Sequence, residues 1–187
     1  MNNKSGLTLL ELLVAVAIFV LLATFVAPRF FVSKPKEERE KFVGQLNSLM
    51  GFAWQNAMFT NKLHEVTFNF GKKMIFLKME GAKDKYGKVQ YVPVARAYIK
   101  TELKIPNQFE FRNFYINSKG TQMMDMIPTA GREGEVFFYI VPDGLSQEVI
   151  INFFDVKDKV ARRKRAFGLA LNPFSAQFEL YDEFKKP

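Results

Sequence analysis

An apolar run starts at Leu7, is broken only by Thr8 and Glu11, and continues from Leu12 to Ala27 without a charge. Counted from Leu7 it spans about twenty residues, enough to cross a bilayer as a helix at roughly 1.5 Å per residue. The segment from Pro35 to Lys62 has a different pattern. There Phe42, Leu46, Leu49, Met50, Ala53 and Ala57 recur at helical spacing and form one apolar stripe. One long helix from Leu7 to about Lys62 is therefore expected, membrane-buried in its first half and lying on a sheet in its second. Gly44 and Gly51 would soften it or admit close packing. Glu37 and Glu38 suit the start of the second half, where the helix dipole favours acids. The run from Glu37 to Lys41 reads as a solvated face.

From Glu65 onward the period changes to two. Val66, Phe68 and Phe70 alternate, Gly71-Lys72 reads as a tight turn, and Met74–Met79 returns as the second strand of a hairpin. Gly81–Lys88 reads as a loop. Further strands are expected at Val89–Lys100, Phe109–Asn117, Glu135–Val141, Glu148–Phe154, Ala166–Leu171 and Ala176–Tyr181. Pro142-Asp143-Gly144 punctuates one hairpin and Asn172-Pro173 the last, with an irregular loop over Asn117–Glu133. The fold class is α+β: a long N-terminal helix, then an antiparallel β domain of two sheets.

Composition narrows the chemistry. The 187 residues suffice for one domain with a proper core, and 21 Phe within 48% apolar residues exclude compositional disorder. With no Cys and one His, there are no thiolate metal sites, no Cys nucleophile and no second imidazole. His64 reads as a structural or surface residue, Asp84 and Asp143 as turn formers, and Trp54 as core or as an anchor of the helix surface. Nothing assembles a nucleophile, a base and an oxyanion donor, so no enzyme, cofactor or metal is expected.

A carboxylate inside an apolar helix costs a few kcal/mol unless it finds a partner, so Glu11 asks for a reason. A secretory signal has a shorter apolar core and no such acid, and a simple anchor leaves Glu11 unexplained. The segment Gly6-Leu7-Thr8-Leu9-Leu10-Glu11 resembles the class III signal of type IV pilins and type II secretion pseudopilins. The resemblance implies that a prepilin peptidase cuts between Gly6 and Leu7 and that Leu7 becomes the N-methylated terminus. The family usually has Phe there. Glu11 matches the family's glutamate, and the ammonium of Leu7 on a neighbouring subunit would supply its cation. Pro28 matches a family proline that removes a backbone hydrogen bond and kinks the helix.

The order of elements resembles the H-type minor pseudopilins and the related FimT-type minor pilins, with the J-type and I-type minor pseudopilins as further candidates. The calcium-loop pattern of the major pseudopilins is not found. These resemblances imply a leader over 1–6, a transmembrane and polymerisation helix over 7–33, and a periplasmic domain over 34–187. Lys and Arg are denser after the helix than before it, which alone would put the domain in the cytoplasm. Large domains cross regardless of such charges, and the resemblance implies a single pass with a cytoplasmic N-terminus. The implied partners are the prepilin peptidase, other pseudopilins or pilins, and the inner membrane. The implied role is a non-catalytic subunit of a type II secretion pseudopilus. The alternatives are a minor pilin in pilus assembly or DNA uptake, and an anchored periplasmic protein outside any filament.

The net charge of +8 concentrates in the run Lys157–Arg165. Placed between two strands, it is expected on an exposed loop where Arg162, Arg163, Lys164 and Arg165 face an anion such as the phosphates of DNA during uptake or of outer-membrane lipids. A solvated loop that discourages edge pairing explains it equally simply. No aromatic residue is interleaved before Phe167, so stacking on single strands has little support and nucleic acid is not the favoured partner.

Overall fold

A computed structural model describes residues 9–31, 35–94, 99–117, 119–122, 134–160 and 162–187. Two helices open it, α1 (Leu9–Phe31) and α2 (Pro35–Thr60). Residues 32–34, where the expected single helix would join them, lie outside the described residues. Pro35 begins α2, a position where its missing N–H costs nothing. Asn61, in the left-handed region at φ 51°, ends the helix. The stripe expected from the sequence is buried: Phe42, Leu46, Leu49, Met50, Ala53 and Ala57.

Among the described residues, ten strands follow and form two antiparallel sheets. The first contains β1 (His64–Asn69), β2 (Met74–Lys83), β3 (Val89–Pro93), β4 (Glu102–Lys104) and β7 (Glu135–Ile140), ordered β3-β2-β1-β7 with β4 also on β2. The second contains β5 (Phe109–Ile116), β6 (Lys119–Gln122), β8 (Val149–Val160), β9 (Arg163–Asn172) and β10 (Gln177–Tyr181), ordered β10-β9-β8-β5-β6. Aromatic rings join the layers. Phe68 of β1 meets Phe114 of β5 edge to face at 5.6 Å, and Phe42 of α2 meets Phe109 at 5.5 Å and Phe153 at 6.4 Å. Such pairs add about 1 kcal/mol each beyond area burial.

Several expected boundaries move, each for a local reason. The first hairpin turns over Phe70–Lys73, and Lys73 rather than Gly71 takes the positive φ. Of the strand expected over Val89–Lys100, β3 covers Val89–Pro93 and 95–98 lie outside the described residues; β4 pairs with β2 at Met74–Phe76. Part of the irregular loop is strand β6, paired with β5, and 123–133 lie outside the described residues. The Pro142-Asp143-Gly144 turn does not join a β7–β8 hairpin. After a short return (Ile140 opposite Ser146), the chain passes from the first sheet to the second. Asp84 and Asp143 cap their turns through backbone N–H groups, as expected. Trp54 donates to the Gly144 carbonyl from the C-terminal half of α2. A Cβ on Gly144 (φ 83°) would stand 3.1 Å from Met58 Sδ and 3.3 Å from Trp54 Nε1, so the turn needs Gly for both conformation and space.

His64 begins β1 fully buried. Its Nδ1 lies 2.9 Å from the Lys62 carbonyl and its Nε2 2.8 Å from Asn56 Nδ2. The carbonyl can only accept and the amide nitrogen only donate, so the ring is neutral with its proton on Nδ1. Burial pushes its pKa below the ordinary value. A neutral buried imidazole contributes stability that is complete above the unfolded pKa of about 6.5 and is lost as pH falls from there toward the folded value. Urea unfolding of the domain should therefore show stability falling between pH 7 and 5, by at most about 1.4 kcal/mol per pH unit from this group. His64→Gln should flatten that slope, and an unchanged slope would contradict the neutral-ring assignment.

Candidate functional site

Two regions carry the features singled out in the sequence. The first is the N-terminal helix. Gly6 and Leu7 lie outside the described residues, while Glu11 sits in the first turn of α1 and Pro28 within it, before its end at Phe31. Leu12, Leu13, Val14, Val16, Ile18, Phe19, Val20, Leu21 and Leu22 are all more than half exposed. A helix apolar on every side has nothing of its own domain to lie on there and calls for a partner of another kind. Among the described residues, no helix is long and apolar enough to cross a membrane. The uncharged run of the sequence continues to Ala27, past Leu22, where the continuous description of α1 side chains ends.

The second region is built around Arg39. Its sequence neighbours suggest a solvated face, but the guanidinium is 2% exposed. Nη1 donates to Asp155 Oδ2 at 3.0 Å and to Asp158 Oδ2 at 2.8 Å, and Nη2 stands 3.9 Å from Asp182 Oδ1. Arg165 Nη2 approaches the same Asp182 oxygen at 3.3 Å. Burial acts to lower the Arg39 pKa, but the bonds to Asp158 and Asp155 outweigh it and hold the guanidinium above its ordinary value. Asp155 is itself fully buried, and its other oxygen accepts the N–H groups of Lys157 and Asp158 at 3.0 and 3.3 Å. These bonds fold β8 into a bulge, seen as a register shift against β9 between Asp155 and Lys159.

The bulge corrects the expectation for the basic run. It is not a loop but the end of a β hairpin. β5 accompanies β8 only as far as Asp155, opposite Phe109; beyond that, β8 and β9 continue as a two-stranded arm. Val160 pairs with Arg163, and Arg162 at the turn has φ 65°. The four basic candidates separate. Arg162 and Arg163 are exposed at the tip, Lys164 pairs with Glu110, and Arg165 turns inward to Asp182. Lys157 lies 3.9 Å from Glu38 of α2. Sequence reasoning missed Arg39 because its partners lie 116 to 143 residues further on.

On the first sheet, Glu65 is buried, accepts from the Thr67 hydroxyl at 2.9 Å and meets Lys78 Nζ at 3.4 Å. Nearby, burial and the hydrogen bond with Tyr139 push the Tyr91 hydroxyl up to about 12. Among the described residues, no three His, Asp or Glu side chains gather as metal ligands.

Residues 1–27 match the model of the prokaryotic N-terminal methylation motif. No curated protein matches the chain. Two solved structures of the minor pseudopilin EpsH from the type 2 secretion system of Vibrio cholerae align with it. One does so at 8% identity and a TM-score of 0.46, over 80% of this chain and 97% of its own. The other does so at 5% identity and 0.49, over 74% and 92%.

Removing one partner of a buried ion pair strands the other. In the domain expressed without residues 1–32, Arg39→Met should cost about 3 kcal/mol in urea unfolding followed by Trp54 fluorescence. Adding Asp155→Asn removes the stranded charge while keeping an acceptor for the bulge, and should restore part of the loss. Additive losses would contradict the coupling.

Proposed function

We propose that this chain is a non-catalytic, membrane-anchored subunit of a pilin-like filament, trimmed after Gly6 and methylated on Leu7. The observation that carries the reading is the match of residues 1–27 to the N-terminal methylation motif. Leu7–Ser33 would be the anchor and polymerisation helix, and Lys34 onward the periplasmic domain. In the membrane, the exposed apolar side chains of α1 lie in lipid; in the filament, they pack on the same helix of neighbours. Transfer between the two changes little apolar exposure, so polar pairing decides assembly. Glu11 supplies that pairing. Its carboxylate meets the ammonium of Leu7 on the adjacent subunit, and cleavage creates that ammonium, so only processed chains assemble. Pro28 is the point where the packed helix bends.

The finer reading is a minor pseudopilin of type II secretion, contributing to protein export. Its support is the element order: an apolar N-terminal helix, then α2 lying across two antiparallel sheets, with a closing β9–β10 hairpin. Other pseudopilins and the prepilin peptidase are then its partners, and the inner membrane its location.

Glu11→Ala should insert in the membrane at least as well as the native chain, because it removes a polar group from an apolar helix. It should fail to crosslink into the filament, and secretion should fall to the level of a deletion strain. Deletion in the source organism, scored together for exoenzyme secretion, surface pili and DNA uptake, should impair secretion. Loss of DNA uptake with secretion intact would replace this reading with a minor pilin, and full assembly of Glu11→Ala would refute the pairing.

A further inference from the structure

Contacts along α2 fix which end of the domain the basic arm occupies. Near the C-terminal end, Trp54 holds the Gly144 turn. Toward the N-terminus, Asn47 exchanges hydrogen bonds with the backbone of Phe178 at 2.7 and 2.9 Å. Arg39 then binds Asp155, Asp158 and Asp182, and Glu38 meets Lys157. The strands of the second sheet thus run alongside α2, and the β8–β9 hairpin reaches its N-terminal end. That is the end from which the chain leads back to α1. Arg39 is only four residues, about 6 Å, from the start of α2. Past the Asp155–Arg165 pair, β9 continues the hairpin for two more residues to Arg163, a reach of about 7 Å, while the extra residues of β8 are taken up by its bulge.

The tip of this arm carries Lys159, Arg162 and Arg163, all exposed, beside Lys164. No acidic residue lies between Lys159 and Glu179 in the sequence. The acids that face the arm from other elements, Glu38 of α2 and Glu110 of β5, are paired with Lys157 and Lys164 and leave the tip cationic. An arm held rigidly by a buried ion cluster, with cations at its end, is built to meet a surface rather than to stay in solvent.

We propose that the β8–β9 arm is a membrane-surface contact: Lys159, Arg162 and Arg163 rest on anionic phospholipid headgroups of the same bilayer that holds α1. The inference rests on the anchored reading of α1. It makes the domain's orientation on the membrane dependent on lipid charge. Headgroup contact attracts each basic residue near the surface and decays within a Debye length, so the contact is lost at high salt. Leaving the membrane for a filament releases the arm, and the basic tip becomes free for other partners only then.

The full chain, reconstituted in vesicles of phosphatidylcholine alone or mixed with phosphatidylglycerol, tests this through amine-reactive labelling read by mass spectrometry. Lys159 reports the tip, and Lys85 and Lys88, in the β2–β3 turn, serve as exposed references in the same molecule. The expected result is about threefold slower labelling of Lys159 in anionic vesicles, abolished in 1 M salt, with the references unchanged. Arg162→Ser with Arg163→Ser should remove most of the protection, and circular dichroism should confirm that this exposed tip leaves the fold intact. Equal labelling of Lys159 in both vesicles, with the chain floating in each, overturns the arm's role while leaving the anchor standing. A chain that floats with neither vesicle overturns both. Equal protection by duplex DNA added to neutral vesicles would assign the tip to polyanions in general and overturn the lipid assignment.

Discussion

The arrangement of this domain depends on one buried cation. Arg39 binds the bulge of β8 through Asp155 and Asp158, and reaches the segment after β10 through Asp182. Taking a guanidinium and a carboxylate out of water costs several kcal/mol per ion, and Arg39 Nε is buried without a hydrogen-bond partner, so the cluster adds little net stability, whereas breaking one of its pairs is costly. That asymmetry makes it a device of register. β8 must bulge at Asp155 so that one carboxylate can bind both Arg39 and two backbone N–H groups, and a slip of one residue would bury an unpaired charge. The aromatic core supplies bulk adhesion but tolerates alternatives; the ion cluster does not.

Helix and sheets divide the work accordingly. The second half of the helical region buries its stripe beneath both sheets and gives the domain its core. The first half keeps its apolar side chains exposed, and its one internal acid is what distinguishes it from a plain anchor. Because Arg39 lies so near the start of α2, the clamp ties the second sheet to the end of α2 that follows α1 in the sequence. The basic arm therefore has a defined position relative to α1 in the sequence.

Much of this was legible in the residues. The apolar run and the α2 stripe follow from local periodicity, as do the cores of β1, β5, β7 and β10, while the Gly6–Glu11 segment was read through its resemblance to a known signal. The rest was hidden for physical reasons. Arg39 sits among Glu37, Glu40 and Lys41, which do face solvent, and only contacts with residues far along the chain bury it. The strand ends of β8 and β9 are charged, so composition reads them as loop, whereas hydrogen bonding to each other keeps them extended. Strands β4 and β6 are short edge segments whose existence depends on the partner rather than on any pattern of their own.

The intact mass of the membrane-extracted protein, made together with a prepilin peptidase, tests the central claim most directly. The account predicts a chain that has lost Met1–Gly6 and gained one methyl group on Leu7. A full-length mass, found beside a pilin that the same peptidase has cleaved, would contradict it.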